Sequence, residues 1–531
     1  MHKRSWFFWV LPICLTAVFS LAALAEDAAP AASATLSEND LNAALLSSCR
    51  TGDSGQVALL LSQGADVNTS DKDGFTPLII ASEKGDPVIV KLLLERNVNV
   101  NAKIKNGWTP LLFAAQSGST EIVNLLIEKN ATVNIKARKG VIDLTTPLLT
   151  AAENGFSEIV AILLEKGASA DDYNQALALA IAKNSAETVN LLLAKGADMN
   201  SKDPSGLTPL MIAAENGAMD VLPLLIDGKT DLNVKKSNGQ TALMLAAQKG
   251  KLDAVKLLLQ KDADVNAKSN KNETALLFAI QENQPEIAEM LLAKGADVNA
   301  KQNLGQPLIL LATTKGYTEI VKVLLEKGVN SEDYMAALNQ SAVKGNLEII
   351  EALLSKGVKN ADCGEALCLA ARYGKNDVIS LLLSKGVDIN VKVNDKNFRE
   401  KAMGFWTPLM YAAQYGQLET VKLLLSQKKI KINEKDDFYG YTALINASDK
   451  GFAEIVQVLA DSKANLGAKD GNEWTALMYA AKKNYAEIVN ILIAKKANVN
   501  EKNSKGETAL SIATANNATQ VVELLKAAGA K

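Results

Sequence analysis

Imidazole is nearly missing from this chain: among 531 residues the sole histidine is His2. A Ser–His or Cys–His nucleophile needs an imidazole base, and most catalytic zinc sites use at least one His ligand, so the usual routes to hydrolysis are closed. Two-carboxylate and lysine mechanisms remain open in principle, but nothing picks out a working pair from 59 scattered acids. Cysteine is scarce too, limited to Cys14, Cys49, Cys363 and Cys368. No disulfide framework can be built from these. Cys363 and Cys368 form a lone C-x4-C without the second ligand pair that zinc spacing requires. Placed on one helix they stand about 7.5 Å apart by the helical rise, beyond easy bridging distance, which leaves Cys368 as a small core residue. Aromatic residues make up only 5%, and 59 acidic side chains nearly balance 57 basic ones. No excess of one sign points to nucleic acid or a membrane surface. The chain therefore reads as a non-enzyme with no cofactor and no metal.

The N-terminus is set apart. Lys3 and Arg4 precede an apolar run from Trp6 to Leu24, and Ala23-Leu24-Ala25 ends it just before Glu26-Asp27. That layout predicts a signal peptide over residues 1–25, cleaved after Ala25, with no stable membrane insertion afterwards. An uncleaved membrane anchor is the competing reading, because the run approaches the roughly 20 residues that span a bilayer. A lipid anchor at Cys14 is disfavoured by Ile13, since a small residue is needed before the cysteine. Residues 26–39, rich in Ala, Pro and Ser, are expected to be a disordered tether.

From residue 40 to 531 the chain repeats itself. A Gly recurs at Gly74, Gly107, Gly206, Gly239, Gly305, Gly440 and Gly506, with Asn272 and Glu473 in the same slot, and neighbouring slots lie 33 residues apart wherever no insertion intervenes. Within the unit that starts at Gly107, Thr109 stands where a helix N-cap accepts amide hydrogen bonds, and Pro110 follows at the first helical position, where its missing N–H costs nothing. Leu111, Ala114 and Ala115 keep helical spacing, and the paired alanines let a second helix approach closely. Gly118 ends the first helix. Ile122, Val123, Leu126 and Ile127 form the apolar stripe of the second. A polar segment such as Ala296–Gly305 then reads as a hairpin-like turn leading to the next pair. One such unit cannot bury its apolar faces alone and must stack on neighbours.

The Thr-Pro-Leu-x-x-Ala-Ala and Leu-Leu-x-x-Gly-Ala-Asp-Val-Asn-Ala patterns resemble the ankyrin repeat over nearly everything from about Leu41 to the C-terminus, and the whole resembles secreted or periplasmic bacterial ankyrin-repeat proteins. The resemblance implies an all-α repeat solenoid of stacked helix-turn-helix units with hairpin-like turns, wound into a curved superhelix of about fifteen repeats with atypical terminal caps. The histidine that usually follows Thr-Pro-Leu in this family is replaced here by residues such as Ile79, Leu112 and Met410. It also implies a non-catalytic scaffold that binds one or more proteins, and no nucleic acid, through a concave groove and the turn tips, in the periplasm or outside the cell. The alternative is a secreted effector acting on host proteins by the same kind of binding. Asn446-Ala-Ser448 is a glycosylation sequon inside an apolar first helix, where a glycan could not fit.

The period is broken in places. Four extra residues separate Glu121 from Glu158, and four are missing before Glu187, Glu348 and Asp377. The deletions remove the hairpin-like turn, and Asp172 with Gln175 and Asp362 with Glu365 keep capping-box spacing. Nine extra residues before Glu419 lengthen one turn over Val393–Gly404. Insertions in repeat proteins often lie on the binding face. The residue after the slot Gly holds Phe75, Trp108, Trp406, Tyr441 and Trp474, while Tyr373 and Tyr415 follow paired alanines. These seven form the candidate partner-binding set, centred on Trp406, Tyr415 and Tyr441, because Trp and Tyr dominate interface hot spots. The competing reading is that the rings pad their own turns.

Overall fold

A computed structural model describes residues 37–140, 143–226, 230–302, 305–393 and 405–531. The expected signal peptide, most of the tether and the body of the long turn lie outside these residues. The chain divides into two units, Met1–Asp172 and Tyr173–Lys531. Each described part is a stack of paired antiparallel helices.

In the first unit the pairs are Glu38–Thr51 with Ser54–Ser62, Pro77–Lys84 with Pro87–Leu94, Pro110–Ser117 with Thr120–Glu128, and Pro147–Asn154 with Ser157–Glu165. The local chemistry is as the sequence requires. Thr109 Oγ1 accepts from the Leu112 amide, Pro110 opens the helix, and Gly118 closes it at φ +77°. Ala114 and Ala115 are fully buried, as are Ile122, Val123 and Leu126. Ile127 is only half-buried, so the stripe is narrower than its spacing suggests. The four-residue insertion forms a short antiparallel ladder, Ala137–Arg138 against Leu144–Thr145.

The second unit begins with Tyr173–Ala182 and Ala186–Ala194 and ends with Ala509–Ala515 and Thr519–Ala527. First helices pack on first helices and second on second, as in Pro408–Gln414 against Ala443–Lys450 and Ala453–Asp461 against Ala486–Ala494. Among the described residues one second helix is missing. Pro223 lies where its interior would be, and the chain makes only a 3-10 turn over Leu222–Leu225, because proline removes the amide and clashes with the preceding turn.

Two ladders join successive repeats within each unit. The asparagine that ends the Val-Asn pair of the repeat reaches across to the next turn: Asn134 donates to Gly167 O at 2.9 Å and accepts from the Ser169 amide at 2.8 Å. Asn266 does the same with Gly295 O and the Asp297 amide, both at 2.9 Å. The hairpin-like turns, called fingers below, are also joined by backbone: Arg138 N donates to Asn106 O, and Gly471 N to Tyr439 O at 2.7 Å. At the histidine slot, Ile79, Leu112 and Met410 are buried in the core. Apolar packing there replaces polar turn chemistry.

The shortened turns are 3-10 helices, Ala170–Asp172, Ser331–Asp333 and Asn360–Cys363. They run straight into the next first helix, which corrects one expected capping box. Cys363 occupies the N-cap of Gly364–Arg372, with no side-chain cap bond. Asp172 takes the Thr146 hydroxyl at 2.9 Å. Asn446 is 1% exposed, so no glycan fits on it. Cys49, Cys363 and Cys368 are free and buried, and burial pushes the Cys49 thiol up to about 12. Among the described residues no group of three or more His, Cys, Asp or Glu side chains could hold a metal ion, and no helix is long and apolar enough to cross a membrane.

Candidate functional site

The two aromatic positions of the first unit pack into its core, and the five of the second unit do not form one cluster. In the first unit, Phe75 and Trp108 pack with Ile79, Leu112, Phe113 and Ala137 in a common core cluster. Trp108 is 7% exposed; its ring meets Phe113 at 5.0 Å, and its indole N–H donates to Arg138 O of the next finger at 2.8 Å. Here the ring pads its own turn.

Trp406, expected at the centre of the site, is also buried, at 3% exposure. Its backbone exchanges two hydrogen bonds with Val393, at 3.0 and 3.1 Å. That pairing closes the base of the long finger and turns the ring edge-on to Tyr411 at 5.3 Å. A partner cannot reach Trp108 or Trp406 without opening a finger. The central role expected of Trp406 is therefore corrected. Tyr373 and Tyr415 belong to a separate cluster at the C-terminal ends of two first helices: the Arg372 guanidinium lies 5.2 Å from the Tyr373 ring and 4.6 Å from the Tyr415 ring. Tyr373 is exposed and Tyr415 half-buried.

Tyr441 and Trp474 are brought together, through Tyr479. The rings run in series: Phe438 to Tyr439 at 4.8 Å, Tyr439 to Tyr441 at 5.7 Å, Tyr441 to Tyr479 at 5.8 Å, and Tyr479 to Trp474 at 5.2 Å. Two buried carboxylates set the fingers that carry them. Asp436 accepts from the amides of Phe438, Tyr439 and Tyr441 at 2.6 to 2.8 Å. Asp470 accepts from the amides of Asn472 and Trp474, both at 2.8 Å, and from the Tyr479 hydroxyl at 2.7 Å. Tyr479 spends its one proton on Asp470, so the 2.9 Å contact between the two hydroxyls has Tyr441 as donor. Burial is the main reason that both phenols are held above their ordinary range, and at Tyr479 the bond its hydroxyl donates to the Asp470 carboxylate adds to it.

The solvent-facing end of the series was not anticipated. Phe438 is 68% exposed and Tyr439 40%, and Phe405, at the base of the neighbouring long finger, is 46% exposed. Lys392 ties the two fingers together, bonding Asp437 at 2.7 Å and the Lys435 carbonyl at 2.8 Å. The bond to Asp437 raises the pKa of its ammonium. The missed signal is the run Asp436-Asp437-Phe438-Tyr439-Gly440-Tyr441. Two aromatics directly before the slot Gly stand at the fingertip, where core packing gives them no reason to be apolar. Elsewhere on the second unit the furrow between Thr318–Glu326 and Leu347–Ser355 is open to solvent and lined by Lys322, Glu348 and Glu351.

Comparison with known proteins agrees with this architecture. The profile described as "Ankyrin repeats (3 copies)" matches residues 45–137, 136–203, 177–269, 210–302, 308–393, 367–470 and 462–531. A rat protein, "Ankyrin repeat and SAM domain-containing protein 6", is 45% identical over 67 residues, which is 12% of this chain and 8% of that protein. The crystal structure of the human ASB11 ankyrin repeat domain is 29% identical, with a TM-score of 0.37, covering 41% of this chain and 97% of that one. The rat match, to a mammalian protein, overturns the expected likeness to secreted or periplasmic bacterial proteins, and with it the periplasmic or secreted location.

Proposed function

We propose that this chain, which belongs to the ankyrin-repeat family, captures a partner protein on the finger surface of its second unit formed by Phe405, Phe438, Tyr439, Tyr441 and Trp474. It is a non-catalytic protein–protein interaction module. The observation that supports the placement is the distribution of exposed rings: among the described residues, three of the four exposed large aromatics, Phe405, Phe438 and Tyr439, lie on these fingers, the fourth being Tyr373. A soluble surface has no folding reason to gather its few aromatics at fingertips, and exposed apolar clusters rimmed by polar groups mark contact sites.

The test is a photo-reactive residue placed at Phe438 and, as a control, at Leu59 of the first unit. A partner crosslinked in the native cell from position 438, absent at 59, and lost on adding Phe405→Ser with Tyr439→Ser, is the expected result. Equal crosslinking from both positions, or crosslinking indifferent to those substitutions, refutes it.

A further inference from the structure

We infer that the partner segment seated on these fingers presents a lysine or arginine side chain to the Phe438–Tyr439 rings; this rests on the capture surface proposed above. The chain itself shows what the surrounding rings attract. At one end of the stretch the Arg372 guanidinium lies against Tyr373 and Tyr415, and at the other the Lys482 ammonium lies 5.3 Å from the Trp474 ring. A cation over an aromatic face is drawn by the ring quadrupole. Phe438 is the most open ring on these fingers, Tyr439 beside it is 40% exposed, and among the described residues no cation of the chain lies over either.

The charge beside them is of the matching sign. The two neighbouring fingers, joined by the bond from Gly471 N to Tyr439 O, carry Asp436, Asp437, Asp470 and Glu473. Lys392 meets Asp437 but is shared with Glu434, and Lys469 lies 3.9 Å from Glu473 but closer, at 3.1 Å, to Glu501. Lys435 gives its ammonium to the Lys469 carbonyl. Asp436 and Asp470 are satisfied by amides and a phenol, which leave their negative charge in place. Exposed rings flanked by incompletely neutralised carboxylates make a seat for a cation rather than for an acidic or purely apolar side chain.

The experiment uses the full chain carrying 3-fluorotyrosine, with the Tyr439 and Tyr441 resonances assigned through their Phe variants. The probes are an acetylated, amidated Gly-Ser-Arg-Gly-Arg-Ser-Gly peptide and its twin with citrulline, the neutral isostere, in place of both arginines. The arginine peptide should shift both resonances, with the citrulline peptide about tenfold weaker. Raising salt, or Asp437→Asn with Glu473→Gln, should weaken the arginine peptide. Equal shifts from the two peptides, or none from the arginine peptide, overturn the inference. Crosslinks from position 438 separate the two ideas: a captured segment lacking Lys and Arg leaves the capture surface standing and removes the cation. A total lack of specific crosslinks removes the capture surface itself.

Discussion

Replacing Asn266 by alanine removes one rung of the asparagine ladder and nothing else of consequence. The side chain is exposed and fills no core, but its carboxamide donates to Gly295 O and accepts from the Asp297 amide, both at 2.9 Å. A net hydrogen bond contributes about 0.5 to 1.5 kcal/mol, and because water can replace both partners at this open turn the pair is worth about 1 kcal/mol. In a repeat stack that energy belongs to one interface between neighbours, so it appears as local opening and not as a shift of a single unfolding midpoint. Hydrogen exchange read amide by amide is the appropriate assay. The Asp297 amide should lose about fivefold of its protection, the Boltzmann equivalent of that energy. Amides of the turn at Asn500 and Lys531 should be unaffected. Asn266→Asp keeps the acceptor, loses the donor, and sets a carboxylate oxygen against Gly295 O, so it should open the interface at least as much as alanine. Protection at Asp297 unchanged in both variants would sink the idea that these asparagines bind the repeats together.

The slot residues allow a paired test of opposite sign. Gly239 has φ +83°, and a Cβ there would lie 2.5 Å from the Asn270 backbone nitrogen, so Gly239→Ala should destabilise the second unit by more than the ~1 kcal/mol of left-handed strain alone. Glu473 holds the same slot at φ +60°, and Glu473→Gly should stabilise its finger by up to ~1 kcal/mol, seen as slower exchange at the Gly471 amide. Tyr479 gives a pH prediction. Its folded pKa is raised, so the unfolded chain loses the phenolic proton first as pH climbs, and the stability it contributes is complete below about 10 and falls above it. Denaturant unfolding of the second unit should thus weaken above pH ~10 in the native protein, and less steeply in Tyr479→Phe.

The helix pairs were readable because their signals are local. A Thr cap, a Pro at the first helical position and a glycine stop act within one turn of backbone, and the alanine pair needs only a neighbour of its own kind. Pro223 was equally visible, yet it passed unread because the repeat pattern around it, Leu222 and Leu224-Leu225, continues in register while the helix does not. The asparagine ladder lies in the motif itself, but its partners stand about thirty residues on, in a backbone whose position only the stack defines. The capping-box spacing at Asp362 failed for a related reason. Shortening the turn left no extended residue to serve as N-cap, so the 3-10 turn flowed into the helix.

The candidate site was half legible, and the error has a single geometric source. The residue after the slot Gly lies at the base of its finger, between that finger and the next. Trp108 shows the outcome there: the indole ends on the neighbouring finger's carbonyl, out of reach of any partner. Exposure begins on the other side of the glycine, which reverses the chain at positive φ and sends the preceding residues to the tip. Phe438 and Tyr439 stand just before Gly440, and in the long finger Phe405 itself stands in the glycine's slot, with Trp406 after it buried. Tyr441 escapes burial only in part, because its ring leans on Tyr479 and its hydroxyl is used there. In such an array the side of the slot on which an aromatic falls decides its surroundings: after the glycine it fastens fingers together, and before it the ring stands exposed at the tip.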